Sequence, residues 1–187
     1  MRKLVETTFV TLDGVIGDTT PSTAPQANPG RWGAPFWDDE HAAYAQKLLF
    51  ASDALLLGRA TYEGFAQAWP PRKGDKFSDQ INSMPKFVAS RTLQDATWNA
   101  TIIRGDVAAE VSRLKDQPGR DILKYGTGEL DRTLMENNLV DEFHFWLFPL
   151  TLGAGRRLFD QVEPANLKLV DMTRFSSGIV VLVYTPR

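Results

Sequence analysis

The chain has no cysteine, which removes disulfides, thiolate metal sites and cysteine nucleophiles together. Its only imidazoles, His41 and His144, are too few and too separated for a histidine-rich centre, so no metal is expected. No apolar run approaches the length needed to cross a bilayer. The N-terminal "MRKLVETTFVTLDG" also lacks the apolar core and small-residue cleavage site of a secretory signal. Charge of one sign is missing too: 21 Lys and Arg against 23 Asp and Glu leave a net charge of −2. No broad basic field therefore invites nucleic acid or an anionic membrane, and any anion site must be local. A soluble, cytoplasmic protein is the expectation.

What remains is an ordinary globular composition, 43% hydrophobic and 24% charged over 187 residues, long enough to bury a sizeable core. No repeat and no linker divides it, and a single domain over residues 1–187 is expected. "KLVETTFVTL" reads as a strand, closed by the turn at Asp13-Gly14. From Asp18 to Trp37 the chain is broken by Pro21, Pro25, Pro29, Gly30 and Gly33, a long loop of the kind that is functional or disordered. Its aromatics Trp32, Phe36 and Trp37 argue for packing over something, whether core or ligand.

"DDEHAAYAQKLLFAS" then predicts a helix with acids in its first turn, where the helix dipole favours them. Strands are predicted at "DALLLG", "PKFVAS", "ATII", "DILKYG" and "VDEFHFWLFP". Helices are predicted from Arg59, over "DVAAEVSRLKDQ" with Asp106 as N-cap, and over "GELDRTLMENN". The end, "LKLVDMTRF-SSG-IVVLVYTP", reads as a hairpin. Strands alternating with helices predict an α/β fold: a mostly parallel central sheet with an antiparallel C-terminal hairpin.

In open α/β sheets ligands sit beyond the carboxyl ends of the strands, and three such ends carry suggestive residues. "LLLGRAT" delivers Gly58, Arg59 and Thr61 to a helix start. Glycine admits close approach, arginine offers a planar fork of donors, and free N–H groups surround the threonine. "FVASRTL" ends on Ser90 and Arg91. "KYGTGEL" places Gly126, Thr127 and Gly128 at a strand-to-helix turn, the geometry that aims N–H groups at a phosphate. Each of these alone also reads as a solvated polar terminus. Three together suggest one long phosphorylated ligand such as a dinucleotide, although the full glycine fingerprint is absent.

Taken in order, "LDGVIG", "LLLGRATYEGF", "FVASRTL", Thr97-Trp98, "ILKYGTGEL", "NLVDEFHFWLFPLTLGAGRRLF" and the final hairpin resemble the dihydrofolate reductase-like superfamily over nearly the whole chain. The closer likeness is to the reductase domain of the bifunctional riboflavin-biosynthesis deaminase-reductase and its stand-alone relatives. The resemblance implies a three-layer fold that binds NADPH. It implies that Val15, Ile16 and Gly17 line the nicotinamide. Gly58, Arg59 and Thr61 would hold the 2′-phosphate and pyrophosphate, and Ser90 and Arg91 would lie beside the adenosine phosphate. Gly126, Thr127 and Gly128 would turn over the pyrophosphate. It further implies a homodimer, for which the apolar strand Phe143 to Phe148 offers an interface.

One position departs from the pattern. Folate-reducing relatives carry a substrate-facing carboxylate early in the first long helix; counting back from Gly58 without gaps reaches Ala42 instead. Asp38, Asp39 and Glu40 lie about one helical turn earlier. A short insertion would bring Asp39, or alternatively Asp38, to the catalytic place; helix capping explains them equally. The implied activity is NADPH-dependent reduction of a pyrimidine- or pteridine-like heterocycle, resembling 5-amino-6-(5-phosphoribosylamino)uracil reductase. A dihydrofolate or pterin reductase and a non-catalytic nucleotide-binding protein are the alternatives. Trp32, Phe36 and Trp37 are candidate substrate-binding residues, and the Asp18–Trp37 loop a candidate lid. His144, alternating with Trp146 and Phe148, reads as a satisfied buried histidine, and His41 as a solvated one.

Overall fold

The computed structural model describes residues 1–17, 32–160 and 162–187. Ten strands are present among them: β1 (Leu4–Thr11), β2 (Val15–Gly17), β3 (Ser52–Gly58), β4 (Lys86–Ala89), β5 (Ala100–Ile103), β6 (Asp121–Tyr125), β7 (Glu142–Phe148), β8 (Arg156–Arg157), β9 (Leu167–Arg174) and β10 (Val180–Pro186). Eight of them form one sheet in the order β5-β4-β3-β6-β1-β7-β10-β9, and β2 pairs with β8 in a separate ribbon. The strands from β5 across to β7 run parallel, and β10 and β9 close the sheet antiparallel.

Among the described residues five α-helices flank the sheet: α1 (Asp39–Ala51), α2 (Arg59–Ala68), α3 (Lys76–Ser83), α4 (Val107–Asp116) and α5 (Glu129–Glu136). Leu48 and Leu49 of α1, Tyr62 of α2 and Ile81 of α3 bury one sheet face with Leu55, Leu57, Trp146 and Phe148. Val111 and Leu114 of α4 and Leu134 of α5 bury the other with Leu4, Leu56, Ile122 and Phe143. The result is the three-layer arrangement of the dihydrofolate reductase-like fold. Leu55, Leu56 and Leu57 are all fully buried because a central parallel strand is covered on both faces.

Helix starts follow local chemistry. Asp38, Asp75 and Asp106 each accept a backbone N–H at the N-termini of α1, α3 and α4. The C-terminal hairpin turns at Gly178, where φ is +90°.

The expectation for Phe143 to Phe148 needs correcting in its setting. As β7 this segment is paired with β1 on one side and β10 on the other, and its side chains are buried between the layers. An inner strand has no free edge, so it offers no interface. The edge strand β9 instead carries three exposed apolar side chains, Leu169, Val170 and Met172. Among the described residues no helix is long and apolar enough to cross a membrane.

Candidate functional site

The parallel strands β1, β3, β4, β6 and β7 all end on the same sheet edge, at Thr11, Gly58, Ala89, Tyr125 and Phe148. From neighbouring β3 and β6 the chain departs to opposite faces, into α2 and α5. That is a topological switch point, where backbone splaying leaves a crevice. The two loops beside it touch: a Cβ built on Gly126 would lie 3.3 Å from Thr61 Oγ1. Gly126 has φ +71°, a left-handed conformation that favours glycine, so the close approach and the turn both select it.

Arg59 opens α2 with its side chain braced from two sides: Nε donates to Glu63 Oε1 at 2.7 Å and Nη1 to the Thr92 hydroxyl. Above Gly58 there is open room, since a Cβ there would meet nothing within 4 Å. Ser90 Oγ accepts from the Leu93 and Thr92 N–H groups, so it shapes the turn while keeping its own proton to donate. Arg91 reaches across to Glu129 on α5, Nη2 to Oε1 2.9 Å, with both side chains mostly in solvent.

The glycine turn is anchored from beneath by buried charges. Lys124 Nζ lies 2.6 Å from Asp131 Oδ1 and 3.3 Å from Glu6 Oε2, with all three side chains shut away from solvent. Lys124 also donates to the Gly126 carbonyl, and Asp131 accepts from the Gly128 N–H. Burial pushes the Glu6 carboxyl well above its usual range. Burial works the same way on Asp131, but Lys124 and its hydrogen bonds outweigh it and hold that carboxyl low. Thr127, itself buried, shares a hydrogen bond with Thr8 at 3.3 Å.

Beside this turn lies a cavity of about 230 Å³, lined by Thr127 and Gly128, by Arg132, Arg156 and Arg157, and also by the acids Glu129, Asp131 and Asp160. β8 brings Arg156 and Arg157 there by pairing with β2, Arg156 opposite Gly17 and Arg157 opposite Val15. A Cβ on Gly128 would come within 3.1 Å of Arg156 Nη1. Sequence reasoning used "GAGRRLF" as a landmark and assigned these arginines no role. The strand that carries Arg156 and Arg157 is two residues long, too short to read as a strand from local pattern. A second cavity, about 280 Å³, lies at the opposite sheet edge beside Tyr44, Glu142 and His144 and contains none of the strand-end residues.

The aromatic candidates occupy the α1 side of the same carboxyl edge. Trp32 and Phe36 pack edge-on to Phe148, at 5.0 and 5.9 Å between ring centroids, and Trp37 stacks on His41. The acids lie elsewhere. Asp38 is the N-cap of α1, accepting from His41 N at 2.8 Å; Asp39 is exposed; and Glu40 accepts from Ser176 of the hairpin turn. Residues 18–31 of the candidate lid fall outside the described residues.

A doubly covered, mostly parallel sheet with a glycine turn, hydroxyls and arginines at one switch point defines an α/β protein of the dihydrofolate reductase-like superfamily. The RibD C-terminal domain family matches residues 2–181. The chain belongs to that family. It is 36% identical over 138 residues to the uncharacterized protein YyaP of Bacillus subtilis (strain 168), covering 71% of this chain and 73% of that one. Among solved structures, a putative riboflavin biosynthesis protein from Shewanella sp. PV-4 superposes with a TM-score of 0.70 at 19% identity, covering 99% of each chain. The deaminase/5-amino-6-(5-phosphoribosylamino)uracil reductase of Thermotoga maritima gives 0.66 at 16% identity, covering all of this chain and 57% of its own.

Proposed function

We propose that the protein is an NADPH-dependent reductase of a planar pyrimidine- or pteridine-like heterocycle. The observation that carries this reading is the meeting of the β3 and β6 loops at the switch point, with Gly126 against Thr61 and Gly128 against Arg156. Two places where a side chain would close the gap are kept open by glycine, with the Thr61 hydroxyl beside one and the Arg156 guanidinium beside the other. That donor set fits a dinucleotide with a pyrophosphate centre and a further phosphate at one end.

In this reading Arg59, steadied by Glu63 and Thr92, takes the 2′-phosphate, and Ser90 and Arg91 take the adenosine end. Two of the three N–H groups of the Gly126–Gly128 turn are given to the protein itself, Gly126 to the Thr7 carbonyl and Gly128 to Asp131, so the Thr127 N–H, with Thr61 and Arg156, holds the pyrophosphate. Val15, Ile16 and Gly17 border the nicotinamide. Bound NADPH supplies a hydride for a C=N or C=O carbon. The chain's part is to hold one face of the nicotinamide ring against the acceptor carbon and keep water out with Trp32, Phe36 and Trp37. We place the protein in the cytoplasm. We also propose a homodimer, formed through the edge strand β9, whose exposed Leu169, Val170 and Met172 suit a second copy.

The test is cofactor titration of wild type and Arg59→Ala. NADPH affinity should fall about tenfold to a hundredfold, the worth of a charge-assisted phosphate contact, with NADH little affected. Equal losses would remove the 2′-phosphate from Arg59, and no NADPH binding by wild type would end the reading. One observation favours a second reading, a nucleotide-binding protein without turnover: Asp38 is spent on capping and Asp39 faces solvent. Tight NADPH binding with no oxidation across dihydrofolate, pterins and aminouracils would select it.

A further inference from the structure

The two histidines of this chain have opposite fates. His144 is fully engaged, Nδ1 with the Tyr44 hydroxyl at 2.8 Å and Nε2 with Glu142 at 2.7 Å. His41 is not. Its Nε2 is buried and has no hydrogen-bond partner among the described residues, and the indole nitrogen of Trp32 shares that condition. Buried polar atoms are almost always paired, and an orphan costs about 1–3 kcal/mol, so two in one neighbourhood need a reason.

They share that neighbourhood. His41 lies 5.7 Å from the Phe9 ring and Trp32 lies 5.0 Å from Phe148, while Phe9 and Phe148 pack 5.0 Å apart. Trp37 covers His41 face to face, 5.4 Å away at an interplanar angle of 9°. The surroundings are therefore flat, aromatic walls at the carboxyl edge of β1 and β7, with two unspent nitrogens set among them. Trp32 offers a donor only; a neutral imidazole offers either a donor or an acceptor according to its tautomer.

We propose that His41 is a substrate-recognition residue: its Nε2, with the Trp32 N–H, hydrogen-bonds the polar edge of a planar heteroaromatic ring held among Phe9, Trp37 and Phe148. The ligand class is an uncharged or anionic ring bearing a carbonyl oxygen or ring nitrogen, able to stack on Trp37. This rests on the reductase reading above and deepens it, since it moves substrate recognition from the acids at the start of α1 to the imidazole that follows them. His41 on α1 faces Trp146 at 4.9 Å, whereas Asp39 and Ala42 on either side of it are exposed. The helix turns the histidine inward and the aspartate out.

The experiment uses ring 15N spectra of the full chain, for which two histidines give two assignable sets and His144 is an internal control. NADPH binding is measured first and separately, so that failure of the cofactor reading shows on its own. Lumazine, a planar pteridinedione, is then titrated onto the protein saturated with NADP+, with tryptophan quenching and the 15N shifts followed together. The expected result is a shift of His41 Nε2 with His144 unmoved, and binding at least fivefold weaker in both His41→Phe and Trp32→Phe. His41→Gln, which keeps a polar edge, should recover part of the loss. Cooperative melting and wild-type NADPH affinity in His41→Phe and His41→Gln separate the loss from misfolding. Lumazine binding without a His41 shift would overturn the proposal, as would variants that bind it normally. Absence of quenching by lumazine, 5-aminouracil and riboflavin alike in a protein that binds NADPH would overturn it as well.

Discussion

Lys124 and Asp131 form a buried ion pair, 2.6 Å apart, and between them they hold both ends of the glycine turn: the lysine at the Gly126 carbonyl and the aspartate at the Gly128 N–H. Deleting one partner of such a pair strands the other charge in the interior. Lys124→Met should therefore lower unfolding free energy by about 3–5 kcal/mol in urea titrations. A loss below about 1 kcal/mol would mean that the pair does not brace the turn.

Gly126 tests the turn from above. A side chain at this φ of +71° is strained, and its Cβ would crowd Thr61 Oγ1 at 3.3 Å. Gly126→Ala should cost about 1–3 kcal/mol of stability and weaken NADPH as well. Calorimetry would expose an unaltered variant, which would place the turn's conformation outside glycine's control.

The pH dependence has a definite sign. Burial depresses both imidazoles below their ordinary 6.5, with the Glu142 contact partly opposing it at His144 and the Asp38 charge partly opposing it at His41. The unfolded chain then takes up protons at a higher pH than the folded chain does. The stability these groups contribute is present above about 6.5 and is lost as pH falls through their lower folded values. Urea midpoints should decline from pH 7.5 to 5.5, and the decline should be shallower in His144→Gln. A slope unchanged by that substitution would remove His144 as its source. Tyr44, pushed up to about 12 by burial and then by Asp171 and Glu142, stays protonated throughout and keeps its hydrogen bond to neutral His144.

On the far edge of the sheet, Met172 is 61% exposed on β9. Met172→Lys should shift light-scattering mass from dimer to monomer at unchanged melting temperature. A wild type that is already monomeric at high protein concentration would reject β9 as an interface.

Much of the molecule was legible from local pattern. Asp106 capping α4, the parallel strands that close on Gly58 and Tyr125, and the hairpin at Gly178 all follow from side-chain chemistry within a few residues. His144 was readable in the same way, since its alternation with Trp146 and Phe148 places it on a buried face. Three features were not. Arg156 reaches Gly128 through a two-residue ribbon whose strength lies in its partner rather than in its own sequence. His41, which reads as a solvated first-turn residue, has its Nε2 buried because Phe9 and Trp146, far away in the chain, close over it.

The third is the buried cluster of Glu6, Lys124 and Asp131, assembled from β1, β6 and α5. Caps, turns and strand ends are decided within one turn or one pleat, so the sequence by itself determined where the anion-suited groups occur along the chain. Which of them share a crevice depends on strand order. That order is settled by burying both faces of one sheet at once, and only the tertiary structure could decide it.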